Sequence, residues 1–117
     1  MEIKINMKEF FKSEFLISSE KGEILFKRVN EEINKGNKIE LDFSGVKSTI
    51  TAFFFSAYAP LFRNYKKEEI KKVVKFKNLN IGSVQQIEIV ENISEKFYKG
   101  VWYGYLKKMT SIFLRNK

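Results

Sequence analysis

Short apolar segments of strand type recur along the chain. Residues 1–7 and 38–43 alternate apolar and polar side chains, and a period of two is typical of a strand with one buried face. The apolar run at residues 15–17 and the apolar residues Val73, Val74 and Phe76 predict two further strands. The pattern therefore predicts about four strands.

Apolar residues at helical spacing separate these strands. The stripe within residues 19–35 predicts a helix with its cap at Ser18-Ser19, and Gly22 falls in its first turn, where a glycine costs least. The wide apolar stripe of residues 51–65 predicts a second helix. Pro60 lies inside that stripe and should bend the helix, because proline lacks the backbone donor.

A third helix is predicted after residue 80. Ser83 and Gln86 have the spacing of a capping box, and Gly100 is the predicted end of this helix. The charged residues 66–69 predict a solvated turn before the last strand. Helices that alternate with strands predict an α/β domain, with helices packed on a mixed sheet of about four strands.

The last segment, residues 101–117, fits two structures. Helical spacing is seen in one apolar stripe, which consists of Trp102, Leu106, Met109 and Phe113. Tyr103 and Tyr105 on either side of Gly104 also fit a short strand, but the longer stripe favours a helix. We therefore predict an α/β domain over residues 1–100. Residues 101–117 form a basic aromatic extension packed on that domain or on a partner.

The chain contains neither cysteine nor histidine. These absences exclude disulfides, thiol nucleophiles, thiolate metal sites and histidine-based catalytic pairs. Its six glycines are scattered and form no phosphate-binding loop. No cofactor or metal is predicted, and the composition argues against an enzyme. A carboxylate or metal-dependent enzyme is kept only as a residual hypothesis, with Asp42 the one acid at a strand end.

The positive charge is concentrated at the end of the sequence. The formal net charge is +8, but residues 1–95 carry 16 basic and 14 acidic groups, whereas residues 96–117 carry six basic groups and no acid. Aromatic rings could stack on bases there while lysines neutralise phosphates. Candidate nucleic-acid contacts are Lys99, Trp102, Tyr103, Tyr105, Lys107, Lys108 and Arg115. Docking of the apolar stripe on the domain or on a second subunit is the simpler interpretation.

The apolar run of residues 52–55 is the longest of the chain and is far shorter than the roughly 20 residues of a membrane span. No membrane association is therefore expected, and the cytoplasm is the expected compartment. Three consecutive phenylalanines in that run cover too wide an arc of a helix to face one sheet. Phe53 either packs under the N-terminal strands or lies on an interface, so Phe53 and Ser56 are candidates for a self-association surface.

The segment Leu41-Asp42-Phe43-Ser44-Gly45-Val46, followed by Thr51 and Pro60-Leu61, resembles the STAS-like family called domain of unknown function 4325. It is similar more distantly to STAS domains of anti-sigma-factor antagonists. The resemblance covers about residues 1–100 and implies a regulatory or scaffolding module that binds another protein without catalysis. In the antagonist branch the loop before the second helix carries a phosphorylated serine, and Ala52 stands at that position here.

We therefore expect a non-enzymatic regulatory or adaptor module that acts through protein–protein binding. Its candidate contact surface is the loop before the second helix, with Asp42, Ser44, Gly45, Ser48, Thr49 and Thr51. The hydroxyls of Ser48, Thr49 and Thr51 are expected to cap that helix, and a phosphate on one of them is the alternative. The alternative function is nucleic-acid or ribonucleoprotein binding, such as by an inhibitor from a mobile element, through the basic C-terminal segment.

Overall fold

The computed structural model describes the backbone of residues 1–115 and the side chains of residues 1–98. Strands and helices alternate along this part of the chain. Its strands are β1 (Glu2–Asn6), β2 (Phe15–Leu16), β3 (Lys38–Asp42), β4 (Ser48–Thr49) and β5 (Val74–Lys77). Its α-helices are α1 (Met7–Phe11), α2 (Ser19–Asn34), α3 (Thr51–Ala57), α4 (Lys67–Val73) and α5 (Ile81–Arg115), and a 3₁₀ helix spans Ala59–Arg63.

The described strands form two small parallel sheets. One has the order β1-β3-β5, and the other pairs β2 with β4. The α/β class is confirmed, but the prediction of one mixed sheet with about four strands is wrong. Each connection within the larger sheet passes through at least one helix, and such a crossover returns the next strand in the same direction.

The larger sheet is apolar on one face and charged on the other. The register aligns Ile3, Ile39 and Val74 in one row and Lys4, Glu40 and Lys75 in the next. Ile39 and Val74 belong to the buried core, whereas Lys4 and Lys75 are exposed. Crossovers of this kind are almost always right-handed, so a sheet that grows in one direction carries its helices on one face. The charged row therefore lies on the face without helices, where Glu40 of the central strand is buried and paired with Lys77 at 3.0 Å.

Aromatic rings from α3 fill the core above β3 and β5. The ring centroid of Phe54 lies 5.8 Å from that of Phe43 and 6.4 Å from that of Phe76. Phe53 is fully buried, with its ring 6.0 Å from that of Phe11 in α1. The prediction that Phe53 forms a self-association surface is therefore wrong. The alternative prediction placed Phe53 under the N-terminal strands. The ring is buried, as that alternative requires, but it lies against Phe11 of the unpredicted helix α1.

The predicted helix over residues 51–65 is two separate elements. α3 ends at Ala57, and Pro60 lies at the start of the 3₁₀ helix, where its missing N–H breaks no helical bond. The predicted bend is therefore a break. Residues 66–69, predicted as a turn, begin α4, and the Glu69 carboxylate accepts the Lys66 backbone N–H at 3.3 Å.

The start of α5 also differs from the prediction. The backbone N–H of Ser83 donates to Asn80 Oδ1 at 2.8 Å, so Asn80 caps the helix and Ser83 does not. α5 runs from Ile81 to Arg115 and does not end at Gly100. The packing of residues 101–117, and their separation as an extension, fall outside the described side chains and stay predictions.

Among the described residues, none of the helices combines the length and the apolar character that a membrane span requires.

Gly22 permits the close packing of α2 against α3. A Cβ built on Gly22 would lie 2.4 Å from the carbonyl oxygen of Phe53 and 2.6 Å from the Cβ of Ser56. Backbone atoms at that distance cannot move aside unless the two helices separate. Gly22 is therefore required by this contact, which the sequence pattern did not reveal.

Gly22→Ala should lower the free energy of unfolding by about 2–3 kcal/mol, because overpacking at a helix contact outweighs the better helix propensity of alanine. The matched control is Gly82→Ala in α5, where the new Cβ would meet only Asn80 Oδ1 at 3.4 Å. That variant should be unchanged or more stable by up to about 1 kcal/mol. Urea denaturation of the three proteins measures both effects, and equal stabilities for the two variants would contradict the contact.

Candidate functional site

The predicted contact loop begins at the carboxyl edge of the larger sheet. Because β1, β3 and β5 are parallel, their last residues Asn6, Asp42 and Lys77 lie along the same edge. In open α/β sheets, ligands bind outside this edge. The structure thus places Asp42, Ser44 and Gly45 where a binding surface is expected for this topology.

Asp42 holds the turn that follows β3. Its Oδ1 accepts hydrogen bonds from the backbone N–H of Ser44 at 2.9 Å, from Ser44 Oγ at 2.8 Å and from Asn78 Nδ2 at 2.8 Å. Gly45 then has a φ of 80°, a left-handed conformation that glycine adopts without strain. Four side-chain and backbone groups from two strand ends therefore fix the exposed turn Ser44-Gly45.

These hydrogen bonds also set the charge state of Asp42. The Asn78 amide, followed by the backbone and hydroxyl of Ser44, holds the pKa of the Asp42 carboxyl below its ordinary value. A carboxylate that accepts several hydrogen bonds is stabilised in its ionised form. Asp42 is therefore a structural acceptor near neutral pH and is poorly suited to donate a proton.

A polar groove lies between α1 and the Ser44-Gly45 turn. The cavity has a volume of about 570 Å³ and is lined by Asn6, Lys8, Glu9, Lys12, Ser13, Glu14, Ser44 and Gly45. Glu14 accepts two ion pairs there, from Lys47 at 3.1 Å and from Lys8 at 3.3 Å. Hydrogen bonds from Lys47 and then Lys8 hold the pKa of Glu14 below its ordinary value. The Glu14 carboxylate of the groove is thus held between two lysine side chains.

The three predicted capping hydroxyls do not cap α3. Its N-cap residue is Ile50, which has no side-chain oxygen. Thr49 is buried, and its Oγ1 lies 2.7 Å from Ser83 Oγ and donates to Gln86 Oε1 at 2.7 Å. Gln86 Nε2 donates in turn to the Thr49 carbonyl at 3.1 Å. Thr49, from one predicted helix cap, therefore binds Ser83 and Gln86 of the other predicted cap and joins β4 to α5.

Ser48 and Thr51 remain partly accessible on either side of Thr49. Ser48 pairs with Phe15 in the two-stranded sheet, and Thr51 is the first residue of α3. Ser56 is half-buried against the close contact at Gly22, so it adds little to an outer surface. The candidate nucleic-acid contacts Lys99, Trp102, Tyr103, Tyr105, Lys107, Lys108 and Arg115 lie outside the side chains that the structure describes.

The acids of α5 do not form a pair. Glu91 is buried and accepts the hydroxyl of Tyr58 at 3.0 Å, whereas Glu95 approaches Lys67 at 3.7 Å. Burial, followed by the charge of Glu91, raises the pKa of Tyr58. Within residues 1–98, no three acidic side chains are grouped closely enough to hold a metal ion.

Sequence reasoning missed Asn78, Lys8 and Glu14. An asparagine directly after a strand is a signal for Asn78, because asparagine tolerates the left-handed conformation of a turn, and Asn78 has a φ of 58°. Lys8 and Glu14 carry no comparable signal, since their meeting depends on the turn between α1 and β2.

Asp42→Asn should reduce stability by about 1 kcal/mol at pH 7, because hydrogen bonds to a charged acceptor are stronger than those to a neutral one. The lowered pKa gives a stabilisation that is present above the unfolded pKa and lost as the pH falls through the folded pKa. The difference in the free energy of unfolding between Asp42→Asn and the unchanged protein should therefore become smaller as the pH falls. Urea denaturation between pH 7 and pH 3, with Glu23→Gln as an exposed charge control, measures this; a difference that persists in acid would contradict the assignment.

Comparison with known proteins identifies a family match that extends from α2 to the beginning of α5. The family model for the STAS-like domain of unknown function (DUF4325) matches residues 21–82, which is just over half of the chain. No curated protein matches this chain, and no solved structure matches it. The matched region contains Asp42, Ser44 and the whole contact loop, as the sequence resemblance predicted. This chain therefore belongs to the STAS-like DUF4325 family.

Proposed function

We propose that this protein is a non-enzymatic regulatory or adaptor module that binds another protein through the Ser44–Thr51 loop and the start of α3. The observation that carries this proposal is the bracing of the exposed turn Ser44-Gly45 by Asp42 and Asn78. A surface held in one conformation before binding loses little entropy on association. The bracing therefore favours recognition by shape.

The charge states around the loop support binding over turnover. A general acid or base works best with a pKa near the operating pH, whereas the pKa values of Asp42 and Glu14 are both lowered. The hydrogen-bond donors beside Asp42 are a serine and an asparagine, neither of which titrates near neutral pH as histidine does.

The groove indicates the chemistry of the partner. Lys8 and Lys47 meet at Glu14, and both lysine side chains keep about half or more of their surface exposed. An acidic side chain from a partner can contact these lysines from outside without disturbing Asp42. We therefore propose a protein partner that presents an acidic or polar segment to the groove and to Ser44-Gly45.

A photo-cross-linking amino acid at Lys47 tests the surface. Lys47 lies beside the groove, and Lys38 at the opposite, amino end of β3 is an exposed lysine that serves as the matched control. Irradiation of the native lysate should give a discrete protein adduct from position 47 and little from position 38. The adduct should survive nuclease treatment.

Two results would contradict the proposal. Equal amounts of adduct from both positions would show nonspecific contact. The absence of an adduct from position 47 would show that no protein binds at this surface. An adduct that nuclease destroys, with binding that falls steeply as salt rises, would instead favour the nucleic-acid hypothesis, because counterion release makes such binding salt-dependent.

A further inference from the structure

Strand β1 forms an open edge of the larger sheet. The sheet has the order β1-β3-β5, and no described strand lies on the outer side of β1. The backbone N–H of Lys38 donates to the Met1 carbonyl at 2.9 Å, and in a parallel ladder alternate residues of a strand bond to the same neighbour. The backbone groups of Ile3 therefore face β3. Those of Glu2 and Lys4 point outwards, where a further strand can pair with them.

The side chains at this edge carry one charge of each sign. Glu2 and Lys4 are exposed on the face without helices, and neither forms an ion pair within residues 1–98. Ile3 lies between them on the apolar face and is only partly buried. A strand added at this edge would therefore cover Ile3 and contact both charges.

The charges select one register for a second copy of β1. Two antiparallel edges bond when their outward-facing residues lie opposite each other, which allows registers centred on Glu2, on Ile3 or on Lys4. The registers centred on Glu2 or Lys4 place that residue opposite its own copy, and like charges directly opposite are destabilising. The register centred on Ile3 places each Glu2 opposite the Lys4 of the other copy. Each such pair exchanges two backbone hydrogen bonds.

In that register the charges alternate in sign across the joined sheet. Lys75, Glu40 and Lys4 form one row within a single copy. The second copy extends this row with its Glu2, which is opposite Lys4, and then with its Lys38, which is the neighbour of Glu2 in β3. Opposite charges at adjacent positions of a sheet are stabilising. The β1 edge is therefore complementary to itself in charge.

The other edge of the sheet lacks this property. β5 is the second edge strand, and its exposed side chains are Lys75 and Lys77. In the registers that pair most of β5, two antiparallel copies would place lysine opposite lysine. Lysine on an edge strand is a common protection against such pairing. The charges therefore favour self-association through β1 and oppose it through β5.

We infer that β1 pairs antiparallel with β1 of a second copy of this chain, in the register centred on Ile3. The dimer then has one continuous sheet, with three strands from each copy and the helices of both copies on the same face. A two-fold axis through the Ile3 pair relates the copies, so the contact is closed and does not propagate. The β1 edge is separate from the contact loop, and the inference does not depend on the proposed function.

The oligomeric state of the full chain tests the pair. Because the contact is short, sedimentation equilibrium is measured up to about 1 mM protein, where even a weak dimer is populated. Lys4→Glu places like charges opposite each other on both sides of the axis and should raise the dissociation constant about tenfold or more. The matched control is Lys96→Glu, which makes the same change at an exposed residue of α5 and should have no effect.

A charge exchange separates the contact from the stability of the single chain. The double variant Glu2→Lys/Lys4→Glu keeps the change at position 4 but makes the opposite residues complementary again. It should therefore dimerise about as well as the unchanged protein. A double variant that is no better than Lys4→Glu would overturn the inference, and so would an unchanged protein that is monomeric at every concentration.

Engineered cysteines test the register, and the chain has no cysteine of its own to interfere. The Cα atoms of an opposite pair that is not hydrogen-bonded are about 4.5 Å apart, a distance that a disulfide can span. Ile3→Cys should therefore cross-link two chains under mild oxidation. Glu2→Cys should not, because its two copies would be about 8 Å apart. Cross-linking of Glu2→Cys that equals or exceeds that of Ile3→Cys would contradict the register.

Discussion

The order of the strands constrains the whole structure. Because β1, β3 and β5 add in one direction and their crossovers pass through helices, the helices lie on one face of the sheet. Parallel sheets are usually covered on both faces, so this sheet needs a polar open face, which the row of Lys4, Glu40 and Lys75 provides. All the apolar burial must then occur on the other face. The dense aromatic packing around Phe54 and the close approach at Gly22 meet that requirement.

The same parallel arrangement brings the strand ends together at one edge. Asp42 at the end of β3 and Asn78 after β5 are 36 residues apart in sequence, yet they are hydrogen-bonded at 2.8 Å. An ionised carboxylate with three donors cannot move without leaving some of them unpaired, which carries a free-energy penalty. The edge therefore presents a turn of fixed shape, and the strain-free left-handed conformation of Gly45 allows that turn to remain tight.

The sequence pattern correctly predicted those strands and helices whose position is set by residues close together in the sequence. The alternation in residues 38–43 and the capped stripe after Ser18 were confirmed because a strand face and a helix cap are set by neighbouring residues. The short helix α1 was missed, Pro60 was predicted to bend the helix and instead follows its end, and the sequence did not decide whether Phe53 is buried. The position of Phe53 depends on a contact between segments far apart in sequence, namely with Phe11 in α1. Thr49 shows the same limit, since its partners Ser83 and Gln86 are 34 and 37 residues away.

The bridge at Thr49 connects the contact loop to helix α5. β4 lies within the contact loop, and Thr49 ties it to the first turns of α5 by a side-chain network that is largely buried. A displacement of β4 leaves buried hydroxyl and amide groups unpaired unless α5 follows, and that penalty couples the two elements. Tyr58 and Glu91 add a second connection, from the end of α3 to the next turns of α5. A partner that shifts the loop would therefore also act on α5.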